Sequence, residues 1–381
     1  MSDLTIISTI NIETLIKDVL FENMKSTVEE HGIELRTLND ESNLYLLVAN
    51  KNETNLTPIQ MECNGLIFEK NTNKIVCMAQ NKMYEISSDE ILKDITKTRF
   101  RMEYCEDGTV IRLYNYNNEW FTATSRCIDA RRSYWSSEKT FNDMFFEIFN
   151  NSGYDINELN LSCTYSFILI HKENRIVVNH KYNNLIYINR VNNISREEDF
   201  TNYFYNEDPR RCIRRTKQIE TSNDINYPLD DYYQPEKRGV IIKSYDELNN
   251  KWNLFSYDFK TYLQVKEIRG NVPLIRMRYL ELLNEPENLE LLRHHYPEHL
   301  MIFSMIKHCM NKLYKEIHNL YFQSHIKHSI TIEESHPLYK TMRQLHGIYK
   351  KQKTIITLEI VTDKVNTLNP HVITNLLGWR K

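Results

Sequence analysis

Between about residues 40 and 265, apolar positions fall in short runs bounded by Asn, Asp and Gly. Leu44–Val48, Gly65–Glu69, Ile75–Ala79, Val110–Tyr116, Trp120–Thr124, Cys163–Ile170, Arg175–Val178, Leu185–Asn189, Val240–Ser244 and Lys251–Ser256 are rich in β-branched and aromatic residues. That texture predicts strands. Asn117-Asn118 and Asn183-Asn184 read as hairpin turns, because Asn tolerates positive φ. Helical patterning is confined to Ile12–His31 and Phe141–Phe149. Strands that follow strands, without regular helical crossovers, make an antiparallel α+β fold. After Gly270-Asn271-Val272-Pro273 the period changes. Ile302, Ile306, Met310, Leu313, Ile317 and Leu320 recur at three- and four-residue spacing, as on an amphipathic helix. Leu274–Leu283 and Leu338–Tyr349 look similar, and Pro370 opens a last short helix. The pattern divides the chain into 1–270, with an N-terminal helix and strands in 1–100 and a core in 101–270, and a helical domain over 271–381.

Composition narrows the function classes. The chain has 381 residues, 41% hydrophobic and 26% charged, an ordinary globular balance. Only eight residues are glycine, too few and too scattered for a Walker or Rossmann phosphate loop. Seven cysteines at irregular spacing, with no Cys-x-x-Cys, read as reduced thiols rather than a disulfide frame or zinc site. No apolar run reaches membrane-spanning length, and the opening residues lack a secretory pattern, so an intracellular, cytoplasmic protein is expected.

Charge adds a possible partner. Residues 1–270 carry 33 Lys and Arg against 41 Asp and Glu, whereas 271–381 carry 15 against 10 and hold ten of the thirteen histidines. Such asymmetry accompanies nucleic-acid contact, although two domains of different surface composition would also produce it. Arg210, Arg211, Arg214, Arg215 and Lys217 follow an acidic stretch. They form either an internally paired solvated loop or a site for RNA phosphates. His294, His295, His299 and His308 lack a Cys or acid in register, which favours exposed helix faces over a metal site.

Three glycines occur in distinctive contexts: Glu62-Cys63-Asn64-Gly65, Cys105-Glu106-Asp107-Gly108 and Lys237-Arg238-Gly239. Tyr165-Ser166-Phe167 and Asn174-Arg175-Ile176-Val177 lie between the last two. In this order, over residues 40–270, the chain resembles the phage-type ATP-dependent RNA ligases, a branch of the covalent nucleotidyltransferases. It also resembles ligase-like proteins of large DNA viruses. The resemblance implies an antiparallel-sheet nucleotidyltransferase domain followed by a helical C-terminal domain suited to substrate choice.

The resemblance also implies where the chemistry should sit. The family's nucleophilic lysine, which attacks the α-phosphate of ATP with a divalent metal's help, falls at Cys105. The ribose-side glutamate falls at Ser166 and the metal-directed carboxylate at Arg238. The two phosphate-gripping lysines fall at Ser256 and Asp258. All five groups are missing, whereas Asp107, Gly108, Asn174, Arg175 and Gly239 remain as scaffold. Lys82 and Arg112 are further cations that would line the cleft or lie on the surface. The expectation is a ligase-like pseudoenzyme, without cofactor or metal, that binds RNA or a protein partner. Two alternatives stay open. One is an active ligase that uses ATP, Mg and a relocated lysine; the other is an assembly subunit without nucleic acid. Cys105 itself, with no adjacent histidine to lower its pKa, reads as a buried structural thiol.

Overall fold

In the computed structural model, which describes residues 11–50, 56–79, 83–85, 100–201, 203–204, 213–219, 237–246 and 251–379, the apolar runs become largely antiparallel sheets. Strands β1 (Ile33–Thr37), β2 (Leu44–Ala49), β3 (Asn64–Glu69) and β4 (Ile75–Cys77) form one sheet in that order. The following strands are β5 (Tyr84–Glu85), β6 (Phe100–Cys105), β7 (Thr109–Tyr116), β8 (Glu119–Ala123) and β9 (Cys163–Ile170). Then come β10 (Asn184–Asn192), β11 (Glu198–Asp199), β12 (Ile213–Arg215), β13 (Gly239–Asp246) and β14 (Lys251–Asp258). They build a second sheet, β11-β10-β9-β7-β8, with β12 parallel to β10, and a third, β5-β14-β13-β6.

Alternation along β9 decides what each face of the second sheet does. Tyr165, Phe167 and Leu169 point into a core completed by Met144, Phe145 and Ile148 of the helix Phe141–Asn150. Ile168 and Ile170 belong to a small separate cluster with Ile186 on the other face. Thr140 starts that helix with a capping box, its hydroxyl accepting from the Asp143 N–H. Asn117 and Asn118, at φ 53° and 62°, make the expected β7–β8 turn.

Three expectations are corrected. Arg175–Val178 is an irregular bend, not a strand, because its backbone N–H groups bond a buried carboxylate instead of a neighbouring strand. Asn183-Asn184 is no tight hairpin, since β9 ends at Ile170 and Asn184 is already in β10. The helix expected over Ile12–His31 divides into Ile12–Ile16 and Phe21–Glu29. Asn73 Nδ2 donates to Ile16 O and Val19 O, each at 2.9 Å, and so satisfies carbonyls that a continuous helix would use.

The chain forms two compact units, Met1–Leu263 and Gln264–Lys381. The second unit holds the helices Ile275–Glu281, Pro286–His295, Leu300–Tyr321, Tyr339–Gln352, Leu358–Asn366 and Pro370–Leu376. Its core takes Ile306, Met310, Leu313 and Ile317 from the longest helix, with Phe303 buried in place of the expected Ile302. Pro370 occupies the first turn of the last helix, where its missing N–H costs nothing. Among the described residues, no helix is long and apolar enough to cross a membrane.

Candidate functional site

The third sheet gathers four of the five positions to which the resemblance assigns the family's reacting groups. In the β13 register, Gly239 faces Cys105 on β6 and Asp258 on β14, while Ile241 faces Glu103 and Ser256. Side chains two apart share a face. Cys105, Glu103, Lys243, Ser256 and Asp258 therefore line one side of this sheet. Arg238 immediately precedes β13, and its Nε donates to Asp258 Oδ1 at 2.8 Å. Its guanidinium also lies 5.6 Å from the Tyr262 ring centroid. Ser166, the fifth position, lies buried on β9, opposite Arg112 of β7 and Asn189 of β10.

The charges that replace the expected groups are paired with each other. Burial opposes the Arg238 charge, but Cys105, Asp258 and Tyr262 outweigh it and hold the pKa above the ordinary arginine value. Burial pushes the Cys105 thiol up to about 11; Arg238 opposes the shift, while Asp258, Asp107 and Glu106 add to it. Buried at 2% exposure, with its thiol protonated at neutral pH, Cys105 is a poor nucleophile. Iodoacetamide at pH 7.5 is expected to alkylate the more accessible Cys127 and Cys309 while leaving Cys105 unmodified. Peptide mapping reads this directly, and rapid modification of Cys105 would contradict the assigned burial.

The retained motif residues fasten a corner. Asp107 Oδ2 accepts from the Val177 and Val178 N–H groups, both at 2.8 Å, and Oδ1 accepts from Tyr262 Oη at 2.8 Å. Asn174 Nδ2 donates to Thr109 Oγ1 at 2.9 Å, and Arg175 Nε donates to Val177 O at 3.1 Å. Gly239 is required sterically: a Cβ there would lie 2.0 Å from Tyr257 O. A Cβ on Gly108 would likewise come within 2.6 Å of Leu169 O. Each of these residues thus has a packing or hydrogen-bonding place in this corner.

Arg112 is neither a surface cation nor an exposed cleft group. It is 1% exposed, and its guanidinium donates to the carbonyls of Gly65, Thr124 and Met78. Gly65 makes the approach possible: its φ is 94°, and a Cβ would lie 2.9 Å from Arg112 Nη2. Arg112 thus ties the first sheet to the second.

Sequence reasoning missed Glu103 and Lys243. Lys243 Nζ lies 3.0 Å from both Glu103 carboxylate oxygens, and the Thr216 hydroxyl donates to the same carboxylate. A cavity of about 310 Å³ opens here, bordered by these three residues with Tyr187, Arg215 and Gln218. The available signal was one acid and one lysine, each interrupting an apolar strand.

The arginine cluster is divided. Arg210 and Arg211, like Lys82, lie outside the described residues. On β12, Arg214 is exposed over the Tyr182 ring at 5.2 Å, while half-buried Arg215 borders the cavity. Beyond it, exposed Lys217 accepts the Tyr104 N–H through its carbonyl at 3.0 Å. Among the described residues, no group of three or more His, Cys, Asp or Glu is placed to hold a metal. The four candidate histidines are therefore not joined into one site.

No protein-family model matches the chain. It is similar to an immediate-early protein ICP-46 homolog of Invertebrate iridescent virus 6, at 21% identity over 94% of this chain and 86% of that protein. It is also similar to the homolog from Invertebrate iridescent virus 3, at 25% identity over 68% of this chain and 59% of that one. Among solved structures, a putative ATP-dependent DNA ligase from Aquifex aeolicus aligns with a TM-score of 0.41 and 10% identity, covering 87% of this chain and 80% of the ligase. An archaeal ATP-dependent RNA ligase aligns with a TM-score of 0.39 and 10% identity, covering 76% and 74%.

Proposed function

We propose that this chain is a virus-encoded, nucleotidyltransferase-like protein that has lost nucleotidyl transfer and acts in the cytoplasm as an RNA-binding module. The observation that carries the reading is the Arg238–Asp258 ion pair beside buried Cys105. Phosphoryl chemistry needs unpaired cations or a metal-binding carboxylate facing the phosphates. Here the cation and the carboxylate neutralise one another. The neighbouring Lys237 is also occupied, its Nζ 3.1 Å from the Tyr104 ring centroid. The similarity to iridescent-virus proteins supports the viral assignment, and the net positive 271–381 region supports the RNA partner.

One observation favours a second reading. Lys243 is a lysine amine bordering a cavity, with Glu103 positioned beside it to take a proton. Nucleotidyl transfer through Lys243 is thus the enzyme alternative. Incubation with α-labelled ATP or GTP and Mg or Mn separates the two. No acid-labile, alkali-stable label of the kind a lysine phosphoramidate gives is expected. A phosphoramidate mapped to Lys243 would establish the enzyme and refute the pseudoenzyme.

A further inference from the structure

In the unit Gln264–Lys381, the helix Leu300–Tyr321 runs into a single π-helical turn, Phe322–Ile326. Such turns are rare and occur frequently at functional sites. This one turns His325 toward the helix Tyr339–Gln352 and completes a ladder of rings. Tyr321 and His325 stack with centroids 4.9 Å apart and planes 7° from parallel. His325 and His346 follow at 4.7 Å with their planes tilted by 44°, and His346 and Tyr349 stack at 5.8 Å and 21°. Hydrogen bonds fix the inner rungs: Ser324 Oγ lies 2.7 Å from His325 Nδ1, and Tyr321 Oη lies 3.5 Å from His346 Nδ1.

The ladder runs from the core to the surface. Tyr321 is 2% exposed, both histidines are half-buried, and Tyr349 is 39% exposed. Lys350 acts electrostatically on both histidines, and the segment that carries the ladder is rich in cations. Residues 322–353 hold Lys327, Lys340, Arg343, Lys350, Lys351 and Lys353 against only Glu333 and Glu334. Lys327 Nζ also sits 5.3 Å from the centroid of Phe322, itself 42% exposed.

We infer that the outer rungs of this ladder, with Lys350, Lys351 and Lys353, form a binding surface for single-stranded nucleic acid, the bases stacking on the rings and the lysines tracking phosphates. The combination selects this partner. An exposed ring face at the end of a stack accepts any base, and cations beside it neutralise the backbone. A duplex keeps its bases stacked internally and offers no free face. Burial and the neighbouring cations Lys350 and His328 lower the pKa of both histidines, and His346 lowers that of His325 further. The inner rings are therefore neutral at pH 7, as stacking requires. The inference rests on the RNA-binding part of the proposed function and is independent of whether nucleotidyl transfer is lost.

The test uses the full chain, a fluorescent oligouridylate and an RNA duplex of equal length, read by anisotropy at several salt concentrations. The parent is expected to prefer the single strand. Tyr349→Ala should weaken that binding about tenfold, and Tyr349→Phe should restore it. Combined Lys350→Gln, Lys351→Gln and Lys353→Gln should reduce the salt slope by roughly 2. Thermal melting verifies that the exposed substitutions leave the fold intact. If the parent binds the single strand but neither substitution changes affinity, this surface is wrong while the RNA reading stands. If it binds no RNA, both fail. Equal duplex affinity, or binding only to phosphatidylserine vesicles, also overturns the inference.

Discussion

Replacing Lys243 with alanine is expected to destabilise the protein by about 3–5 kcal/mol, because it leaves the Glu103 carboxylate buried without its cation. Both side chains are 9% exposed, and Nζ lies 3.0 Å from each carboxylate oxygen. The remaining Thr216 hydroxyl is one neutral donor and cannot balance a full charge. Lys243 also lies 4.6 Å from the Phe200 ring centroid, so that contact is lost too. Replacing both partners, Glu103→Leu with Lys243→Met, should recover most of the loss, since a matched apolar pair removes both desolvation costs. A single substitution that costs under about 1 kcal/mol would show that water already shares the pair.

The same pair illustrates what the sequence conceals. Cys163–Ile170 is legible as a strand because apolar character runs through its whole length, and all eight residues are buried. Phe100–Cys105 escapes notice because Arg101 and Glu103 interrupt its apolar pattern. Only the register of β13, which brings Lys243 onto Glu103 across 140 residues of sequence, makes that acid tolerable inside. Arg175–Val178 fails in the opposite sense: its valines look like strand residues, yet the Asp107 carboxylate takes their N–H groups. The candidate site was legible as positions in order, since the motif glycines stand where a Cβ cannot fit. Its electrostatics were not. Read singly, Arg238 repels a metal and Asp258 repels a triphosphate. The β13–β14 pairing reveals them as partners. Long-range register is the missing information in each case.

Asp107→Ala is expected to be the second most damaging substitution, at about 3–5 kcal/mol, although Asp107 has no catalytic role in this reading. Its carboxylate accepts from the Val177 and Val178 N–H groups and from the Tyr262 hydroxyl. At 4% exposure, water cannot readily replace it. Each hydrogen bond to a charged group contributes about 1.5–3 kcal/mol, and losing three together exceeds the cost of an ordinary cavity. Asp107→Asn should be much milder. Its single carbonyl can accept both valine N–H groups while its amide donates to the Tyr262 oxygen. Cys105→Ala should cost about 1 kcal/mol, because the thiol makes only a weak 4.0 Å contact with Glu106 O and its loss is mainly a small volume. Urea unfolding gives the order Asp107→Ala, then Asp107→Asn, then Cys105→Ala. If Asp107→Ala proves nearly neutral for stability, its place in the corner is not structural. The carboxylate beside Cys105 would then have to be explained by chemistry.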